Sequence, residues 1–352
     1  MSLWNTRASI KSDGMIKRCI ALIIACLCLT SCAANGKDPS PSVDVQPNET
    51  VDGSDQNGQT DGVGTEGDGT EDTWSGYRFI FRTEDDGGTL AVWWWNVNHF
   101  FSEAKREQYL DFLAMNNVNE IYLCYPNPDF DRLAKIVRTA GQRGMRVSLL
   151  SGDCWWIDKE NTGENTVVET FLCYQKSAPA DAKLHALHLD VEPHQRDDFS
   201  TSRDAVLQSY VEMVVQVAET VRASGERIEW DIPFWFESFT VTGELGESIP
   251  LLELLSKNAD TLCLMSYRDS AEEILSVSEE EISACIENGC KVVLGVETFS
   301  GEGDHVSFLE EGKYTMYLAM RDVYNDLKQR LGRDRYGIAV HYLDTWFTLK
   351  EK

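Results

Sequence analysis

From about Gly76 onward, short apolar runs alternate with longer stretches whose apolar residues recur at helical spacing. This beat narrows the available folds more than any other feature, because period two marks strands and period 3.6 marks helices. Strands are predicted over Leu90–Trp95, Glu120–Tyr125, Val147–Ser151, Ala186–Glu192, Ile228–Pro233, Thr261–Tyr267, Lys291–Glu297 and Tyr336–Tyr342. Helices are predicted near Glu103–Asn116, Asp131–Arg143, Asn165–Lys176, Ser202–Ser224, Pro250–Asn258, Ser278–Asn288 and Lys313–Leu331. Gly144, Gly225 and Gly289 each follow a helical stretch, where a left-handed residue closes a helix. Ser278-Glu-Glu-Glu281 has the spacing of a capping box. Eight strands joined by helical crossovers predict an α/β fold, a (β/α)8 TIM barrel. A doubly wound open sheet would carry a glycine-rich phosphate loop after its first strand, and none stands there. The sequence stops soon after Trp346, so the eighth helix is expected to be short or missing.

In such barrels the active site lies at the C-terminal ends of the strands. The fourth run sits within Leu184-His-Ala-Leu-His-Leu-Asp-Val-Glu-Pro-His194 and alternates strictly. Leu187, Leu189 and Val191 share one face, and His188, Asp190 and Glu192 share the other. The remaining ends bring Asp153, Trp155 and Trp156 after strand three, and Asp231 and Trp235 at strand five. Tyr267 and Asp269 end strand six, Glu297 ends strand seven, and His341 and Trp346 follow from strand eight. Any one of these carboxyls reads most simply as a solvated or salt-bridged loop residue. Together they converge on one mouth, where like charges raise each other's pKa and keep an acid protonated near neutral pH. Trp155, Trp156, Trp235 and Trp346 lie at or past strand ends, where flat rings suit the apolar face of a sugar. Trp230 and two of Trp93–Trp95 read as core.

The Leu-Asp-Val-Glu run resembles the end of the Asp-x-x-Asp-x-Asp-x-Glu signature of chitinase-type hydrolases, glycoside hydrolase family eighteen. Met265-Ser-Tyr267 resembles the Met-x-Tyr of that family's sixth strand, and Trp346 resembles its tryptophan after strand eight. The resemblance implies Glu192 as proton donor and Asp190 as its partner, supporting the substrate's N-acetyl group as internal nucleophile. It also implies Tyr267 as an N-acetyl contact and Trp346 as the floor of the sugar site. Two departures stand out. His185 and His188 occupy the positions of the two outer aspartates, and Arg268 displaces the acidic residue after the tyrosine to Asp269.

Other readings use the same strand ends. Glu192-Pro193 and Glu297 resemble the acid and nucleophile positions of the large clan of retaining barrel glycosidases, where two carboxyls stand roughly 5 Å apart. That clan carries Asn before the strand-four Glu, and Val191 stands here. His188, Asp190, Glu192 and His341 are metal-compatible side chains. The strand-one His-x-His of metal-dependent barrels is replaced by Trp93-Trp-Trp95, so neither a metal nor another cofactor is expected. A surface sugar-binding protein without turnover is the non-enzymatic alternative, since fold does not imply function.

The N-terminal part predicts export. Residues 1–14 read as an upstream extension, and Met15-Ile-Lys-Arg18 with the apolar run to Thr30 reads as a signal peptide, too short to span a membrane in the mature protein. Leu29-Thr30-Ser31-Cys32 resembles a bacterial lipobox, with lipid expected on Cys32 and the protein held at the cell surface on the outer face of a bacterial membrane. Residues 32–75 carry ten acids against a single lysine from Ala33 to Trp74, with almost no apolar residue. They predict a disordered tether ahead of a barrel domain over 76–352. The formal net charge of −26 argues against nucleic acid as a partner. A glycan and, through the lipid, a membrane are the expected partners, with the chain acting as a monomer. Once the signal and Cys32 are set aside, six of the ten cysteines remain without zinc spacing. Cys154 with Cys173 is a pairing that export would permit.

Overall fold

All eight predicted runs form strands, and the eight close into one parallel barrel. The computed structural model describes Arg82 and residues 87–351, apart from 128, 159, 160, 162, 244 and 301–304. The segments read from sequence as signal peptide and tether, together with Cys32, lie outside the described residues. The strands are β1 (Thr89–Trp94), β2 (Glu120–Cys124), β3 (Arg146–Ser151), β4 (Leu187–Leu189), β5 (Ile228–Pro233), β6 (Thr240–Thr242), β7 (Ser248–Pro250), β8 (Thr261–Met265), β9 (Lys291–Glu297) and β10 (Tyr336–His341). The barrel closes in the order β1-β10-β9-β8-β5-β4-β3-β2, while β6 and β7 form a separate antiparallel hairpin after β5. The helices are α1 (Glu103–Met115), α2 (Phe130–Gly141), α3 (Gly163–Ser177), α4 (Phe199–Ala223), α5 (Leu251–Lys257), α6 (Ala271–Val277), α7 (Glu279–Asn288), α8 (Gly312–Arg330) and the short α9 (Leu343–Thr348).

Strand parity sorts the side chains. Leu90, Val92, Trp94, Leu187, Leu189, Val191 and Trp230 join one continuous apolar layer between strands and helices. Ala91, Trp93, Tyr122, Leu150, Cys263, Val293 and Ala339 fill the lumen. Below them, at the N-terminal ends of the strands, lies a buried ion-pair network. Glu120 is fully buried and accepts from Arg146 at 2.6 Å and from Ser148 Oγ at 3.1 Å, with Lys291 Nζ 3.8 Å away. Burial opposes its ionisation, but Arg146 and Lys291 outweigh that and hold the carboxyl well below the usual range.

Three local expectations change. The capping box does not form: α6 ends directly at Ser278, whose hydroxyl donates back to Ile274 O at 2.8 Å, and Glu281 is buried instead of capping. Helix α6 and the β6–β7 hairpin have no counterpart in the sequence prediction, because both are only a few residues long. No disulfide joins Cys154 and Cys173. Gly144, Gly225 and Gly289 do take positive φ, with Gly289 closing α7.

Candidate active site

Because Leu187 and Leu189 turn to the helix layer, His188, Asp190 and Glu192 point along the lumen towards the mouth. The β4 backbone continues past Leu189 by a hydrogen bond from Asp190 N to Ser151 O at 2.9 Å. Gly152 makes this close approach feasible: a Cβ there would stand 1.7 Å from Asp190 O. Gly295 does the same on β9, where a Cβ would crowd Leu264 O at 2.6 Å and the Trp93 and Tyr267 rings at 3.2 Å.

His188 is fully buried beneath the mouth. Its Nδ1 lies 3.1 Å from Glu229 Oε2 and its Nε2 lies 2.9 Å from Asp231 Oδ1. The ring stacks on Tyr122 with centroids 3.7 Å apart. Burial alone would favour the neutral ring, but Asp231 and then Glu229 overcome it and push the imidazole up to about 10. His188 is therefore a cation at neutral pH, donating from both nitrogens. Asp231 uses its other oxygen to accept from Trp93 Nε1 at 2.9 Å.

Asp190 and Glu192 have no such cation. Burial pushes the Asp190 carboxyl well above its usual range, with Asp231 and Glu192 adding to the shift and His188 opposing it. Its Oδ1 is buried with no hydrogen-bond partner among the described residues. Burial, followed by the charge of Asp231, pushes Glu192 up to about 7. Gln195 Nε2 donates to Glu192 Oε2, and His194 Nε2 stands 3.7 Å from Oε1.

A second group closes the mouth from β8, β9 and β10. His341 Nδ1 lies 2.7 Å from Glu297 Oε2, and Trp95 Nε1 approaches His341 Nε2 at 3.1 Å. An indole only donates, so Nε2 accepts and the ring proton resides on Nδ1, directed at Glu297. Glu297 Oε1 also accepts from the backbone N–H groups of Thr298 at 2.7 Å and Phe299 at 2.8 Å. Tyr267 stacks over His341 with centroids 5.6 Å apart. Burial pushes its phenol well above the usual range, helped by Glu297, Asp231 and Asp190, so it stays a neutral donor.

The strand ends thus bring together Asp190, Glu192, Asp231, Tyr267, Glu297 and His341. Trp155 is exposed beyond β3, with the Arg196 guanidinium 4.4 Å from its ring centroid. Asp153 holds that turn by accepting from Trp155 N at 2.8 Å. Asp269 sits in the loop after β8, 3.8 Å from His305 Nδ1. Trp235 is half-buried in an aromatic cluster, its centroid 5.1 Å from His194, 5.0 Å from Phe236 and 5.6 Å from Phe239.

Two tryptophans are not where a sugar would find them. Trp156 is buried against Gly163, where an added Cβ would come within 2.2 Å of its Nε1. Trp346 is fully buried: the chain turns into α9 at Leu343, which carries the ring into the helix layer. There Nε1 lies 3.3 Å from Tyr317 Oη and the ring meets Phe112 edge-on at 5.0 Å. It is not the floor of the mouth. Trp93 and Trp95, read from sequence as core, do pack in the lumen cluster, and their indole N–H groups also reach Asp231 and His341 there. Their parity along β1 was the signal that would have found them, since both share the lumen face.

Metal-ligand geometry points elsewhere. Both nitrogens of His188 and of His341 are engaged by protein partners. The donor atoms of Glu120, His185 and Glu229 do lie within 4.8 Å of one another, but at the opposite end of the strands. Arg146 and Lys291 already supply the positive charge there, so this group reads as part of the ion-pair network.

No protein-family model and no curated protein matches the chain. Among solved structures, the C-terminal domain of a predicted chitinase from Desulfitobacterium hafniense superposes with a TM-score of 0.50 at 10% identity, over 74% of this chain and 94% of that one. A family-eighteen chitinase from Cycas revoluta in complex with (GlcNAc)4 gives 0.47 at 10% identity, over 73% and 96%. A β-1,3-glucanosyltransferase from Rhizomucor miehei in complex with laminaritriose gives 0.45 at 17%, over 72% and 86%. At these identities the likeness is one of fold, and the chain is a (β/α)8 barrel of the architecture that chitinase-type hydrolases share.

Proposed function

We propose that this chain is a glycoside hydrolase that cleaves a β-linked glycan containing N-acetylhexosamine, with Glu192 as the acid. The observation that carries this reading is the division of charge at the mouth. Of three neighbouring carboxyls, Asp231 is balanced by the His188 cation, whereas burial and the charge of Asp231 favour the protonated form of Asp190 and Glu192. Glu192, at about 7, is the one matched to giving up a proton under working conditions. The proton goes to the glycosidic oxygen as its bond to the anomeric carbon breaks and the substrate's acetamido carbonyl oxygen bonds to that carbon; water then adds there, displaces the acetamido oxygen and returns a proton to Glu192. The unpartnered Oδ1 of Asp190 is an acceptor for the acetamido N–H, and the Tyr267 hydroxyl is a donor for its carbonyl oxygen. Glu297 suits the nucleophile role less well, because three donors already occupy its two oxygens. Trp155 offers its exposed face to a neighbouring sugar.

Matched oligosaccharides with and without the acetamido group test the mechanism. Activity is expected only with the group, and Glu297→Gln is expected to be mild. Equal damage from Glu297→Gln and Glu192→Gln, with a glycosyl adduct trapped on Glu297, would establish the two-carboxylate route instead. Glycan binding with no turnover on any substrate would make the protein a binding module. Removing the Trp155 ring should weaken binding by about 0.5–1.5 kcal/mol, read by fluorescence titration.

The same proposal places the barrel at the cell surface, held by lipid on Cys32 through the acidic segment. Metabolic labelling with a lipid precursor should tag the wild type and fail on Cys32→Ala. A tag that survives the substitution would remove the anchor.

A further inference from the structure

At the N-terminal end of the barrel, opposite Glu192, the loops that lead into the strands surround a cavity of about 350 Å³. Five cations line it: Arg222 near the end of α4, Arg227 before β5, Lys257 ending α5, Lys291 starting β9 and Arg335 before β10. Two acids, Asp260 and Asp334, stand with them, leaving an excess of three positive charges among the lining residues (five minus two), while Glu253 and Glu120 pair with Lys257 and Lys291 from outside the lining. The whole chain carries −26, so this concentration of cations runs against the protein's overall charge.

Part of the cationic set has a structural task. Helices α4, α5 and α7 end here, and cations complement the negative ends of helix dipoles. Arg222 donates to Lys257 O at 3.0 Å and lies 3.5 Å from Asp260. Arg335 donates to Cys285 O at 2.6 Å and Cys290 O at 3.2 Å, and Lys257 pairs with Glu253. These contacts leave binding capacity over. Arg335 Nε is buried with no hydrogen-bond partner among the described residues. Arg227 has neither a side-chain hydrogen bond nor an ion pair there. Lys291 is 8% exposed, and burial, opposed by Glu120 and reinforced by Arg146 and Arg227, pushes its amine down to about 8. A cation in that position gains from further negative charge nearby.

We propose that this cavity binds a compact oxyanion of two or more charges, with phosphate or a phosphomonoester as the chemistry its guanidinium groups fit. Planar guanidinium forks pair with phosphate oxygens two at a time, and their charge-assisted hydrogen bonds exceed neutral ones in strength. A cavity of this size admits a phosphate together with a small organic substituent. The proposal is independent of the chemistry at Glu192.

The test holds ionic strength constant with chloride and titrates the purified protein with inorganic phosphate, glycerol phosphate and citrate, by calorimetry and thermal unfolding. Phosphate is expected to bind at one site and to raise Tm saturably. Arg227→Glu breaks no side-chain hydrogen bond or ion pair among the described residues, so it should keep the Tm measured in chloride within a few degrees while weakening phosphate binding about tenfold or more. Arg227→Gln should give a smaller loss in the same direction. Equal Tm in phosphate and chloride, or phosphate affinity unchanged in Arg227→Glu, would overturn the site. Citrate preferred over phosphate, with the same dependence on Arg227, would overturn the assignment to phosphate chemistry.

Discussion

Replacing Glu192 with glutamine is expected to lower hydrolysis of a β-linked glycan by about 10²–10⁴-fold, the usual contribution of a positioned proton donor. Glutamine keeps the size and the contact with Gln195 but has no proton to give, so substrate binding should persist while kcat falls. Wild-type kcat should decline as pH rises through about 7, because the acid must be protonated. Stability falls over the same pH range. The folded-state pKa of Glu192 lies above its unfolded value of 4.5, so folding favours the protonated form. That contribution is present below pH 4.5 and is lost as pH rises towards 7. Glu192→Gln should therefore be more stable than wild type at pH 8 and markedly less active. A variant within tenfold of wild-type turnover would remove Glu192 from the acid role.

The second large effect is on stability. Substituting His188 with leucine should destabilise the fold by about 3–5 kcal/mol, since it leaves Glu229 and Asp231 buried without their cation. The pKa of His188 is raised on folding, from 6.5 to about 10. Its stabilisation is fully present below pH 6.5 and disappears as pH climbs towards 10. Urea unfolding of the two proteins should accordingly differ most at pH 6 and converge in alkali. A loss under about 1 kcal/mol at pH 6 would show that the two carboxyls take up protons cheaply instead of relying on the histidine.

His188 shows where the sequence reading stopped. Its place on the polar face of β4 follows from the alternation of Leu187, Leu189 and Val191, a local pattern. Its charge does not, because Glu229 and Asp231 stand 41 and 43 residues away and meet it only through the β4–β5 register. Trp93 and Trp95 are similar: they reach Asp231 and His341 across 138 and 246 residues. Trp346 failed for a different reason. Its position just past the last strand matched the resemblance, but the backbone enters α9 three residues earlier, and a helix points its side chains by a period of 3.6, not 2.

What the sequence by itself determined is the barrel and the face of each strand that looks into it. Both rest on hydrophobic periodicity, which neighbouring residues encode without reference to the rest of the chain. The tertiary structure alone decided which buried carboxyl has a cation beside it, which tryptophan is covered and which cations gather at the far end of the barrel. Those outcomes depend on distances between residues far apart in the chain. Charge and burial at a site are sums over such neighbours, so they exist only once the barrel has closed.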